Sequence, residues 1–152
     1  MAMTPIFNRR QALALGTAAL GASMLVATSA LAKNDADEAI KKFTGGKTPS
    51  QGKIKLDLPE IAENGNTVPM TVTVDSPMSE QSYVREVLIV ANENPRSGVV
   101  TFHFSPASGV AEANTRIRLA ATQDVIAVAK MNDGSFHTAS KDVKVTIGGC
   151  GG

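Results

Sequence analysis

Across 152 residues there is one cysteine, no tryptophan, one tyrosine and two histidines, so most of the usual side chains for chemistry are scarce. A single cysteine cannot close an internal disulfide, and burial alone must hold any folded domain together. The near absence of aromatics argues against a platform for stacking bases or sugars. Fifteen basic residues against fourteen acidic ones give a formal charge of +1, which advertises neither nucleic acid nor anionic lipid as a partner. There is no Gly-rich phosphate loop, no paired-Cys metal motif, no His-Glu-x-x-His helix and no Gly-x-Ser-x-Gly elbow. The residues therefore indicate neither a catalytic group nor a resident metal or cofactor. No internal repeat is visible, and only the last five residues are of low complexity.

What is present begins with an address. Arg9 and Arg10 stand directly before an uncharged, Ala- and Gly-rich run from Leu13 to Ala27. Ala30-Leu31-Ala32 then supplies the small-x-small pattern of a signal peptidase site. Paired arginines before a weakly apolar core favour the twin-arginine route, although Ala12 and Ala14 occupy positions where that pattern usually has Phe and often Lys. The run is shorter than the ~20 strongly apolar residues of a membrane span. Lys33, not a lipid-accepting Cys, follows the expected cut. The expectation is a signal over residues 1–32, a periplasmic destination and no membrane attachment after cleavage. Removing 32 of 152 residues leaves 120, an ordinary size for one domain, with 13 basic against 14 acidic side chains.

Residues 33–147 then read as a short helix followed by strands. Asp35 and Glu38 have capping-box spacing, Ala36, Ala39, Ile40 and Phe43 share one apolar face, and Gly45-Gly46 supplies a stop. Residues 47–52 form the connecting loop. Val68, Met70, Val72 and Val74 alternate with Pro69, Thr71, Thr73 and Asp75, the period of a half-buried strand. Pro69 has no amide donor, which puts that end of the strand at an edge or a bulge. Further runs fall at 54–58, 84–91, 99–104, 115–119, 125–131, 136–140 and 143–147, and Asn132-Asp133-Gly134-Ser135 signals a hairpin. About eight short strands separated by turns predict an all-β fold, an immunoglobulin-like antiparallel sandwich.

Neither histidine suggests a site by itself. His103 shares parity with Val99 and Thr101, His137 follows the hairpin turn, and both read as edge or surface residues. A blue-copper centre needs two His, a Cys and an axial ligand, and only Gly151 and Gly152 follow Cys150. The remaining feature is the tail itself. Gly148-Gly149-Cys150-Gly151-Gly152 sets the sole thiol among four glycines directly after Ile147. Glycine reaches nearly the whole backbone map, so residues 148–152 are expected to form a flexible tether that carries Cys150 up to about 10 Å from the sheet. A thiol near pKa 8.5 is roughly 3% thiolate at pH 7, so activation is expected from a partner's site. The competing reading is an exported immunoglobulin-like adhesion or assembly subunit with Cys150 in an intermolecular disulfide, though such a crosslink gains little from four glycines. A ubiquitin-like use of the terminal Gly-Gly would need ATP, from which export removes the protein.

The tail, together with Val143 to Ile147, resembles the C-terminus of the SoxY family, the sulfur-carrier subunits of bacterial thiosulfate-oxidising Sox systems. The likeness extends through residues 45–49, 56–65, 75–78 and 115–120. It implies a non-catalytic carrier with a thiosulfonate or persulfide adduct on Cys150. It also implies a heterodimer with SoxZ, itself an immunoglobulin-like sandwich, and transient docking to the SoxAX cytochrome, the SoxB hydrolase and the SoxCD dehydrogenase. Met70, Met78 and Tyr83 are the expected apolar contributors to the SoxZ face.

Overall fold

The computed structural model describes residues 30–149, with side chains from Asp35 onward. Helix α1 spans Ala30–Thr44. Strands follow as β1 (Ser50–Gln51), β2 (Ile54–Asp57), β3 (Ile61–Asn64), β4 (Val68–Val74), β5 (Val84–Ala91), β6 (Gly98–His103), β7 (Ala111–Ile117), β8 (Gln123–Met131) and β9 (Phe136–Ile147). One sheet has the order β1-β9-β8-β5-β6 with β3 also beside β9, and the other has β2-β4-β7. This is the expected immunoglobulin-like sandwich.

The core lies between the sheets. Val68, Met70, Val72 and Val74 of β4 face Val87, Ile89 and Ala91 of β5 and Val125, Ala127, Ala129 and Met131 of β8. In β5 the alternation is lost because both of its faces are covered. Val87, Ile89 and Ala91 point to the core, while Leu88 and Val90 point outward under Ala36, Ile40 and Phe43 of α1. A register shift between Val84 and Glu86 resets the parity, so Val84 also reaches the core. Pro69 pairs with Arg116 of β7, and β2 reaches only as far as Thr71. Its missing donor therefore lies where β4 has a single neighbour.

Four expectations need correction. The helix begins before Asp35, and the Asp35 carboxylate does not cap it. Instead it accepts from the Ser97 amide at 3.2 Å and the Ser97 hydroxyl at 3.0 Å, fastening α1 to the loop after β5. The region read as loop contains β1, and residues 61–64 form β3. Both run parallel to β9, because the chain crosses to the other sheet as β2 between them. The runs at 136–140 and 143–147 are one continuous strand. Met70 and Met78 are only 1% and 5% exposed and belong to the core, and Tyr83 packs against it, so neither methionine can form a partner face.

The C-terminal stop of α1 is as expected. Gly45 and Gly46 take positive φ, and the Gly46 amide donates to Lys41 O at 3.0 Å. The hairpin also forms: Gly134 has φ 81°, and the Ser135 amide and hydroxyl donate to the Asp133 carboxylate at 2.8 and 2.6 Å. No helix among the described residues is long and apolar enough to cross a membrane.

Candidate functional site at the C-terminal end of the sandwich

Strand β9 delivers the chain to one end of the sandwich, where three segments meet through their backbones. The Gly65 amide donates to Ile147 O at 2.7 Å, the Leu119 amide to Gly65 O at 2.8 Å, and the Gly149 amide to Leu119 O at 2.9 Å. The belt thus runs from Ile147 through Gly65 and Leu119 back to Gly149. None of its glycines needs an unusual dihedral; positive φ occurs elsewhere, as at Gly45 and Gly134. What they supply is room. A Cβ on Gly65 would collide with the Leu119 carbonyl oxygen and stand 2.7 Å from the Gly149 nitrogen. A Cβ on Gly148 would collide with Ala120 O, and one on Gly149 would stand 2.7 Å from Gly65 O.

The loop that receives the tail is itself fixed by two buried amides. Asn94 Nδ2 donates to Arg118 O at 2.8 Å, and Asn94 Oδ1 accepts from the Ala120 amide and from Gln123 Nε2, both at 2.9 Å. Gln123 Nε2 also donates to Ala121 O, and its Oε1 accepts from the Glu93 amide at 2.8 Å. Thr122 Oγ1 accepts from the Val145 amide at 2.9 Å and ties the same loop to β9. Buried amides with every strong partner in place make a stiff support.

This geometry differs from the tether expected over residues 148–152. Gly149 is buried and hydrogen-bonded, so the first two glycines sit in the belt, and the described chain is still anchored one residue before the thiol. Cys150, Gly151 and Gly152 lie outside the described residues, as do Arg9 and Arg10. Ala30 and Ala32 fall within the backbone of α1, which runs across the expected cleavage position. The Gly65 contact was not legible from the residues alone. Asn64-Gly65 looks like any turn dipeptide, and only the fold brings Leu119 and Gly149 against it.

The histidines are not brought together. His103 is exposed on β6, with Nδ1 3.3 Å from Glu86 Oε1, and Lys130 Nζ lies 3.4 Å from Glu86 Oε2 in the same cross-strand row. His137 is on β9, three strand spacings or roughly 14 Å from β6. It is less superficial than expected, since its Nδ1 is buried and has no hydrogen-bond partner. Among the described residues no cluster of His, Cys, Asp and Glu is arranged to hold a metal ion. The Ser135 hydroxyl, and then the Ser135 amide, hold the Asp133 carboxyl below its ordinary value at the opposite end of the sandwich. A shallow groove lined by Lys53, Ile54, Lys55, Thr73 and Val110 lies at the far end of β4 from Gly65.

Fold and site together define an immunoglobulin-like sandwich whose last strand brings Gly148 and Gly149, the start of the Gly-Gly-Cys-Gly-Gly sequence, to one end. The sequence profile of the family described as "Sulfur oxidation protein SoxY" matches residues 40–150, and the chain belongs to that family. Among solved structures it is similar to the sulfur carrier protein SoxY from Chlorobium limicola f thiosulfatophilum, at 31% identity over 75% of this chain and 98% of that one, with a TM-score of 0.62. The superoxide reductase (neelaredoxin) from Ignicoccus hospitalis matches at 18% identity over 62% of this chain and 80% of that one, with a TM-score of 0.56. The superoxide reductase from Nanoarchaeum equitans matches at 10% identity over 63% and 100%, with a TM-score of 0.54. At such low identity these two share the fold alone. Comparison with curated protein sequences gives no match.

Proposed function

We propose that this chain is a covalent sulfur carrier of a Sox system, with Cys150 as the attachment point and no catalytic step of its own. The observation that carries the reading is that the family match runs to residue 150, the only cysteine, directly after the anchored Gly149. The thiolate and the sulfane sulfur of thiosulfate join in an S–S bond, and the two electrons released go to a haem-containing partner, SoxAX. Water then displaces the terminal sulfone as sulfate and leaves a persulfide on Cys150, the step assigned to SoxB. SoxCD oxidises the remaining sulfane sulfur where that enzyme is present. Carrier and substrate meet these enzymes in the periplasm, after export by the twin-arginine signal of residues 1–32 and as a heterodimer with SoxZ.

Intact-mass analysis tests this on protein purified without reductant from cells oxidising thiosulfate. Adducts removable by reductant are expected on the wild-type chain and absent from Cys150→Ala, together with a co-purifying second chain. A wild-type mass that reductant never changes, or adducts persisting in Cys150→Ala, refutes it. A reductant-sensitive disulfide to a partner as the sole modification would favour the adhesion or assembly subunit instead.

A further inference from the structure

The belt around Gly149 has a use that the carrier reading alone does not assign. We propose that Gly65 is a positioning residue for the carrier thiol. By leaving room for Gly149 against the Leu119 carbonyl, it anchors the chain as far as Gly149, one residue before the thiol, instead of only as far as Ile147. The inference rests on the carrier reading, and it concerns where the sulfur is presented, not whether it is carried.

Three observations converge on it. First, the contacts are backbone to backbone at 2.7 to 2.9 Å, and Gly65 takes part in two of the three. Second, Gly65, Gly148 and Gly149 each lack space for a Cβ, whereas Gly98 has nothing within 4 Å of such an atom. Bare flexibility would demand glycines in the tail, but it would not demand one at Gly65 in a separate segment. Third, the peptide that carries the receiving Leu119 carbonyl is held from behind, its Ala120 amide donating to Asn94 Oδ1, and Gln123 Nε2 donates to Asn94 Oδ1 and to Ala121 O in the same loop; Asn94 and Gln123 are 7% and 3% exposed.

The physical consequence is entropic. A partner that captures a loose arm must freeze every residue between the globule and the sulfur. Each residue fixed in advance spares on the order of tenfold in capture, because ordering one backbone residue opposes binding by about that factor. With Gly148 and Gly149 already in place, a partner is spared the ordering of those two residues. Pre-organisation of this kind acts on binding, leaving the bond-making step untouched.

The test uses the full chain and compares Gly65→Ala with Gly98→Ala. Amide hydrogen exchange followed by NMR reads the Gly149 amide against those of Ala127 and Val128 in β8. Thiosulfate-dependent reduction of the loading cytochrome, measured against carrier concentration, reads KM and kcat for the carrier. Gly65→Ala is expected to lose Gly149 protection while β8 keeps its own, and to raise KM on the order of a hundredfold, about tenfold for each of Gly148 and Gly149, with kcat unchanged. Gly98→Ala is expected to behave as wild type. A Gly149 amide unprotected in the wild type overturns the proposal, as does Gly65→Ala with wild-type KM. Should Gly65→Ala fail to fold, Gly149→Ala replaces it. Its clash with Gly65 O is relieved by the tail leaving the belt, so the same rise in KM is expected, and an unchanged KM again overturns the proposal. Cys150→Ala tests the other claim: loading that survives in it refutes the carrier reading and leaves the belt intact.

Discussion

At the scale of single residues, the end of the sandwich that bears the tail depends on two side-chain amides. Asn94 makes three hydrogen bonds from a buried position and is the hub of the loop that receives Gly149. Removing it strands the Arg118 carbonyl, the Ala120 amide and one proton of Gln123. Each unsatisfied buried group costs roughly 1–3 kcal/mol. Asn94→Ala is therefore expected to lower unfolding free energy by at least about 1–3 kcal/mol in urea titration, with the slope unchanged. Gly65 acts at the same scale by the opposite means, through an atom it does not have. His137 is a reminder that a buried ring nitrogen without a partner is not, by that fact, a ligand.

At the scale of elements, strand β9 does most to organise the molecule. It pairs with β8 over its first two-thirds, accepts β1 and β3 on its other edge, and ends in the tail. The hairpin that launches it is stapled by Ser135 to Asp133. Because that carboxyl's pKa is depressed in the fold, its contribution is present above the ordinary value of 3.8 and is lost as pH falls through the lower folded value. Ser135→Ala is expected to move the Asp133 pKa back up toward 3.8, as read by NMR titration of its side-chain carboxyl carbon. A titration that does not move would show that the staple is not what holds the pKa down. Helix α1 is the other element with a specific task. It roofs Leu88 and Val90, which is why β5 carries an unbroken apolar run.

For the whole molecule, a core shared by two sheets must hold without a disulfide. Met70 sits on the central strand of the smaller sheet at 1% exposure, packed toward the larger one. Met70→Ala leaves a cavity between the sheets and is expected to cost about 2–5 kcal/mol. The loss should register equally in far-ultraviolet circular dichroism and tyrosine fluorescence, because the two sheets unfold as one unit. Separate transitions for the two probes would contradict a common core. The sequence by itself determined the sandwich class, the stop at Gly45-Gly46, the hairpin at Asp133-Gly134 and the thiol in its glycine setting. All of these are local: alternation, turn chemistry and composition act over a few neighbouring residues. Only the tertiary structure decided that Met70 and Met78 are core, that Asp35 serves Ser97, that β1 and β3 run beside β9, and that Gly148 and Gly149 are held instead of free. Each of these depends on segments far apart in the chain meeting in space, and a glycine chosen for a neighbour's carbonyl looks, in sequence, the same as one chosen for a turn.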